Sequence, residues 1–277
     1  MMQHDLKEVL ISVKDVSLSF EDRRTGHVKQ ILKPITVDVR DVVRPDCVTG
    51  QVVGVLGPSG IGKTQFSRIL TGLQRPTTGS VSVEGKPVVP GLVGMVAQDY
   101  PLFRWRTVRG NLMVALEHSD LTKQGRRDQV TEYLTRFGMS DKADLYPSQL
   151  SGGQRQRIAI VRELLCSEHF VVMDEPFTGL DPINKDKVAD LIVHVANSNE
   201  KNTIFVVAHD IAALVSISDT LWLFGRDRDE HGQPVQGAYV KKTYNLIERD
   251  LAWRPGISRT KEFFDFCSEV RTEFDDL

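Results

Sequence analysis

Apolar and polar positions partly alternate along residues 9–20, where Val13, Val16, Leu18 and Phe20 are separated by polar side chains. A two-residue period predicts a strand covered on one face. Residues 31–39 repeat the pattern, and the polar stretch 21–30, with Gly26 in it, reads as the intervening turn. From residue 52 the pattern changes to short continuous apolar runs, at 52–56, 92–97, 170–173 and 203–208. Such runs mark strands buried on both faces. Residues 80–83 and 86–89, around Gly85, predict a hairpin. Residues 64–71 predict a helix stopped by Gly72. Between residue 100 and about residue 138 the spacing becomes helical, with Leu112, Leu116, Tyr133, Leu134 and Phe137 apolar. Further helices are expected over 152–166, from near Pro182, which suits a first helical turn, and over 260–274. The stretch 227–237 is polar and turn-rich.

Strands that alternate with helices predict an α/β core with a mainly parallel sheet. The helical stretch after Gln98 predicts a subdomain set into that core. A chain of 277 residues accommodates one large domain or a core with a smaller subdomain. Hydrophobic content of 40% and charged content of 26% are those of an ordinary globular protein. The net charge of -2 supplies no bulk basic field, which argues against a nucleic-acid partner. Cys47, Cys166 and Cys267 lack metal-ligand spacing and read as free thiols. No apolar run reaches the roughly 18–20 residues of a membrane span. The first ten residues carry His4, Asp5, Lys7 and Glu8, unlike a secretory signal. The expectation is a cytoplasmic chain whose membrane role, if it has one, comes through a partner.

The chemistry begins at Gly57-Pro58-Ser59-Gly60-Ile61-Gly62-Lys63-Thr64, which fits G-x-x-x-x-G-K-[ST] between an expected strand and an expected helix. Glycines let the backbone curl until its N–H groups converge on phosphates, and the helix start adds partial positive charge. Lys63 is expected on the β- and γ-phosphates and Thr64 on Mg²⁺. The apolar run 170–173 ends in Asp174 and Glu175. Beside a phosphate loop, Asp174 is expected to orient the metal and Glu175 to polarise an attacking water. A second glycine turn, Leu150-Ser151-Gly152-Gly153-Gln154, offers a hydroxyl and backbone amides at a helix start. The chain already has a phosphate cradle, so this turn predicts a nucleotide held between two surfaces.

These elements, with Gln98 after a strand, Gly179-Leu180-Asp181 and His209 after the apolar run 204–208, resemble the ATP-binding subunits of ABC transporters over most of residues 9–225. The resemblance implies a RecA-like P-loop NTPase core, an inserted α-helical subdomain over about 100–157 and an N-terminal antiparallel β subdomain, followed by an extension over 226–277. It implies ATP and Mg²⁺ as ligands. Phe20 matches the aromatic that stacks on adenine, and Gln98 the glutamine that contacts Mg²⁺ or the attacking water and senses the membrane partner. Ser151, Gly152, Gly153 and Gln154 match the turn that faces the γ-phosphate of the other subunit's ATP. Asp181 matches the aspartate at the dimer seam, and His209 the histidine on the γ-phosphate. Gln65 stands where the family usually has a small hydroxyl residue near the α-phosphate, and can still donate a hydrogen bond there.

The implied unit is a dimer, of identical chains or paralogues, closing head to tail over two ATP molecules and working on transmembrane permease subunits, with a substrate-binding protein as a further partner. The chain would then lie on the inner face of the membrane. The run Leu102-Phe103-Arg104-Trp105-Arg106-Thr107-Val108 resembles importers of nitrate, sulfonate, taurine and bicarbonate, which implies import of a small anion or an organic sulfur or nitrogen compound. Physically, it is an aromatic and arginine-rich surface suited to anchoring a partner. The alternatives are a soluble ABC ATPase of DNA repair or translation, or an exporter or lipid-handling motor. The first is disfavoured by the single phosphate loop, the lack of a heptad run and the lack of a cysteine cluster. A P-loop kinase would leave residues 150–154 and His209 unexplained.

Overall fold

The computed structural model describes residues 5–22, 24–43, 50–97, 100–167, 169–254 and 256–275. Two sheets organise them. A four-stranded antiparallel sheet has the order β2-β1-β4-β5, from β1 (Asp5–Glu21), β2 (Val28–Val43), β4 (Thr78–Val83) and β5 (Lys86–Pro87). A six-stranded sheet has the order β10-β9-β3-β8-β7-β6. Its parallel members are β3 (Gln51–Leu56), β6 (Gly94–Val96), β7 (Phe170–Asp174), β8 (Thr203–Ala208) and β9 (Thr220–Gly225). The edge strand β10 (Tyr239–Asn245) pairs antiparallel with β9.

The continuous apolar runs are buried on both faces, and their alternation sorts side chains between two cores. Val53, Val55, Phe170, Val172, Phe205, Val207, Trp222 and Phe224 join the antiparallel sheet and α1 (Lys63–Leu70) on one side. Val52, Leu56, Val171, Met173, Ile204, Val206, Leu221 and Leu223 join the remaining helices on the other. There lie α2 (Val108–Ala115), α3 (Lys123–Arg136), α4 (Gly152–Ser167), α5 (Pro182–Ala196), α6 (Ile211–Ile217) and α7 (Lys261–Asp275).

The helical stretch expected from residue 100 begins only at Val108. Residues 101–107 form a turn-rich segment instead. Asn111 explains why. Its fully buried side chain accepts from Phe103 N at 2.7 Å and donates to the carbonyls of Phe103, Arg106 and Thr107 at 3.0–3.2 Å. Those backbone groups are satisfied without a helical ladder.

Past residue 225 the chain is more ordered than its polarity suggests. Tyr244 of β10 and, beyond it, Leu246, Phe263, Phe266 and Val270 enter the same core as α4 and α5. Arg249 bridges Glu269 at 2.8 Å and lies over the Phe266 ring, clamping α7 to the residues after β10. No helix among the described residues is long and apolar enough to cross a membrane.

Candidate nucleotide site

The phosphate loop leaves β3 and enters α1, with both flanking elements in place. Gly60 (φ +74°) and Gly62 (φ +121°) take backbone conformations that side chains disfavour, so the loop can curl. A cavity of about 480 Å³ opens over it, lined by Ile31, Ser59, Gly60, Gly62, Lys63, Thr64, Gln65, Glu175, Thr178 and His209. Gly57, Pro58 and Ile61 complete the loop. Lys63 is 5% exposed and donates to Gly57 O at 2.7 Å and Pro58 O at 3.1 Å. Burial holds its ammonium below the usual lysine range, partly offset by Glu175 and Asp174.

Parallel pairing brings the far motifs here. Asp174 lies opposite Val207 in the β7–β8 register, and Glu175 N donates to Val207 O at 2.8 Å. His209 therefore leaves β8 beside Glu175. Its Nδ1 is 2.8 Å from Glu175 Oε2, which also accepts from Thr178 Oγ1 at 3.1 Å. Glu175 Oε1 faces Lys63 Nζ at 3.5 Å. One carboxylate thus joins the phosphate-loop lysine to the histidine.

Glu175 has φ +51°, a left-handed conformation that costs a non-glycine residue about 1–3 kcal/mol. Such strain persists where surrounding bonds over-determine it, and it concentrates at functional positions. The sequence carries no signal for it.

Asp174 ends β7 with its carboxyl raised above the usual range by burial, against a lowering hydrogen bond with Thr64. Its Oδ1 is buried without a hydrogen-bond partner. An orphaned carboxylate oxygen beside a threonine hydroxyl is a hard oxygen pair that fits Mg²⁺. Among the described residues no group of three His, Cys, Asp or Glu side chains could hold a metal by itself. A cation here would share its shell with phosphate oxygens and water.

Other expected site residues lie outside this cavity. Ser151, Gly152 and Gly153 are exposed at the start of α4. Ser151 N donates to Gln154 Oε1 at 2.9 Å and Gln154 N to Ser151 Oγ at 3.3 Å, a reciprocal capping box. A Cβ at Gly152 or Gly153 would meet nothing within 4 Å, so the chain's own packing does not call for glycine at either. Asp181 caps α5, accepting from Asn184 N at 3.0 Å and Asn184 Nδ2 at 2.6 Å. Phe20 is 44% exposed on β1 opposite Lys29 and does not line the cavity. Gln98 lies outside the described residues. Ile31, which sequence reasoning treated only as a strand residue, lines the cavity and meets Gly62.

A phosphate loop between a parallel strand and a helix, facing an acidic strand end and a histidine, defines a P-loop nucleotide-binding protein. The sequence profile of the ABC transporter family matches residues 41–178. The methionine import ATP-binding protein MetN 1 of Lactiplantibacillus plantarum is 33% identical over 269 residues, covering 92% of this chain and 72% of that protein. The nitrate import ATP-binding protein NrtD of Synechocystis is 35% identical over 236 residues, covering 80% and 82%. The chain spans 59% and 49% of the length of two further methionine import relatives. Among solved structures, CbiO1 from Clostridium perfringens superposes with a TM-score of 0.69 at 22% identity, over 87% of this chain and 90% of that one. The chain belongs to the ABC transporter family, as one of its ATP-binding, ATP-hydrolysing subunits.

Proposed function

We propose that this chain pairs with a second nucleotide-binding subunit, closes over two ATP molecules and drives import of a small anion or an organic sulfur or nitrogen compound through a membrane permease. The observation that carries the reading is the shared cavity in which Glu175 lies 2.8 Å from His209 and 3.5 Å from Lys63, while the serine–glycine turn lies exposed elsewhere. A turn outside its own cavity is available to a partner's nucleotide.

In this reading the loop amides and Lys63 bind the β- and γ-phosphates, and Gln65 donates near the α-phosphate. Phe20 stacks on adenine. Thr64 and Asp174, with Gln98, would hold Mg²⁺, which when bound neutralises developing phosphate charge. Glu175 accepts a proton from the attacking water. His209 donates toward the γ-phosphate. A carboxylate only accepts, so His209 Nδ1 carries the proton in its contact with Glu175, and Nε2 can donate to the γ-phosphate only when the ring is doubly protonated. Ser151, Gly152, Gly153 and Gln154 complete the partner's site, and Asp181 lies at the seam. Hydrolysis removes the bridging γ-phosphate and the pair opens.

The aromatic pair Phe103 and Trp105, with centroids 5.4 Å apart and Trp105 73% exposed, supports a permease contact that holds the chain at the inner membrane face. The likeness to methionine and nitrate import subunits supports the import direction. The test is capture of the tagged chain from detergent-solubilised membranes. Recovery of a permease with a substrate-binding protein is the expected result. Co-purification with ribosomes or DNA, and no membrane protein, would overturn it.

A further inference from the structure

Glu175 is followed by Pro176, whose carbonyl oxygen sits at a junction of buried groups. Tyr100 Oη donates to it at 3.1 Å, and Gln156 Nε2, on α4 and 2% exposed, donates at 3.4 Å. A carbonyl oxygen has two lone pairs, so both bonds are accommodated. Burial pushes the Tyr100 phenol up to about 12. The two donors fix the Pro176–Phe177 peptide, while Val207 O holds the peptide before Glu175 and Thr178 N the carbonyl of the peptide after it. A left-handed Glu175 needs such bracing on both sides.

Tyr100 also begins the segment that presents the exposed aromatic pair. Pro101 O accepts from Arg162 at 2.7 Å, and Asn111 fixes Phe103 through its N–H and its carbonyl. Tyr100, Pro101 and Phe103 are thus each hydrogen-bonded, and Trp105 adjoins them through its ring contact with Phe103. We infer that Tyr100 and Gln156 are positioning residues that hold Glu175 in its strained conformation. This rests on the base role given to Glu175 under the proposed function. It requires no contact between Tyr100 and nucleotide.

Tyr100→Phe tests it in the full chain, because it removes one oxygen and leaves the ring in place. The expected result is a kcat for ATP lowered about two- to tenfold, the net worth of one neutral hydrogen bond at about 1.4 kcal/mol per tenfold. KM for ATP should stay within about twofold, because the phosphate loop is untouched. An unchanged kcat would overturn the inference. So would a KM that worsens in step with kcat and melting temperature, since that marks general loosening. Glu175→Gln, measured beside it, separates the two levels. Retained turnover there sinks the base role, whereas lost turnover with a normal Tyr100→Phe sinks only the bracing.

Discussion

His209 and Glu175 are 34 positions apart in sequence, yet the imidazole Nδ1 lies 2.8 Å from the carboxylate Oε2. The parallel register of β7 and β8 sets that distance. In the proposed base role, Glu175 already lies within 3.5 Å of both His209 and Lys63.

Glu175→Gln keeps the shape and removes the basicity. Phosphate release should fall by at least about 100-fold. ATP binding should persist, and ATP-bound dimers should accumulate in size-exclusion chromatography. Turnover near that of the parent chain would refute the assignment.

Ser151→Arg places a long cation where the neighbouring subunit's ATP is expected. Nucleotide binding to the monomer should survive while ATP-induced dimerisation is lost. The capping box disappears too, which costs roughly 0.5–2 kcal/mol and should lower the melting temperature slightly. Loss of monomer binding in a fluorescent-nucleotide titration would contradict the two-surface arrangement.

Lys63 is a buried cation whose ammonium is disfavoured by desolvation. Its folded-state pKa lies below the unfolded value, so near neutral pH its charge opposes folding, and the penalty eases as pH rises through that range. Lys63→Met should raise the nucleotide-free melting temperature, with a gain on the order of 1 kcal/mol, while abolishing ATP binding. Thermal scans with and without ATP check both halves. A lower melting temperature without nucleotide would show that its bonds to Gly57 and Pro58 outweigh desolvation.

Lys185 and Asp210 join α5 to the start of α6 through an ion pair 2.5 Å long, next to His209. Burial raises the Asp210 carboxyl, but Lys185 and the Ala213 amide outweigh it and hold the group below its usual range. A depressed carboxyl contributes stability that is present above the unfolded pKa and lost as pH falls through the folded one. Both side chains are partly exposed, so the pair is worth only about 0.5–1 kcal/mol after solvent screening. Lys185→Met should therefore be destabilised by that amount at pH 7, and the gap should close on acidification below about pH 4. A gap that is constant with pH in urea titrations would assign the loss to packing.

Much of this was legible in the chain because the motifs are local. A glycine loop between an apolar run and a helix states its own geometry, and so does an acidic pair that ends a buried strand. What escaped depends on distant partners. The seven residues of α6 are too few for a helical period to declare itself. The edge strand β10 presents lysines to solvent and follows the polar stretch 227–237 with no apolar run to announce it. The Asn111 contacts that keep residues 103–107 out of a helix leave no periodic trace. Ile31 lines the nucleotide cavity only because β2 lies over Gly62. The positive φ of Glu175 belongs to tertiary bonding, and no propensity encodes it.

The reciprocal bonds between Ser151 and Gln154 carry a kinetic consequence. In the isolated chain the Ser151 N–H is spent on Gln154 Oε1, while the Ser151 hydroxyl accepts from Gln154 N, so an arriving anion finds only the hydroxyl proton and the following amides. The turn should therefore hold free phosphate and other small anions weakly. It would grip firmly only when the opposing surface presents a whole nucleotide. A shallow grip of that kind lets go quickly once the terminal phosphate departs, which suits a device that has to reset on every stroke.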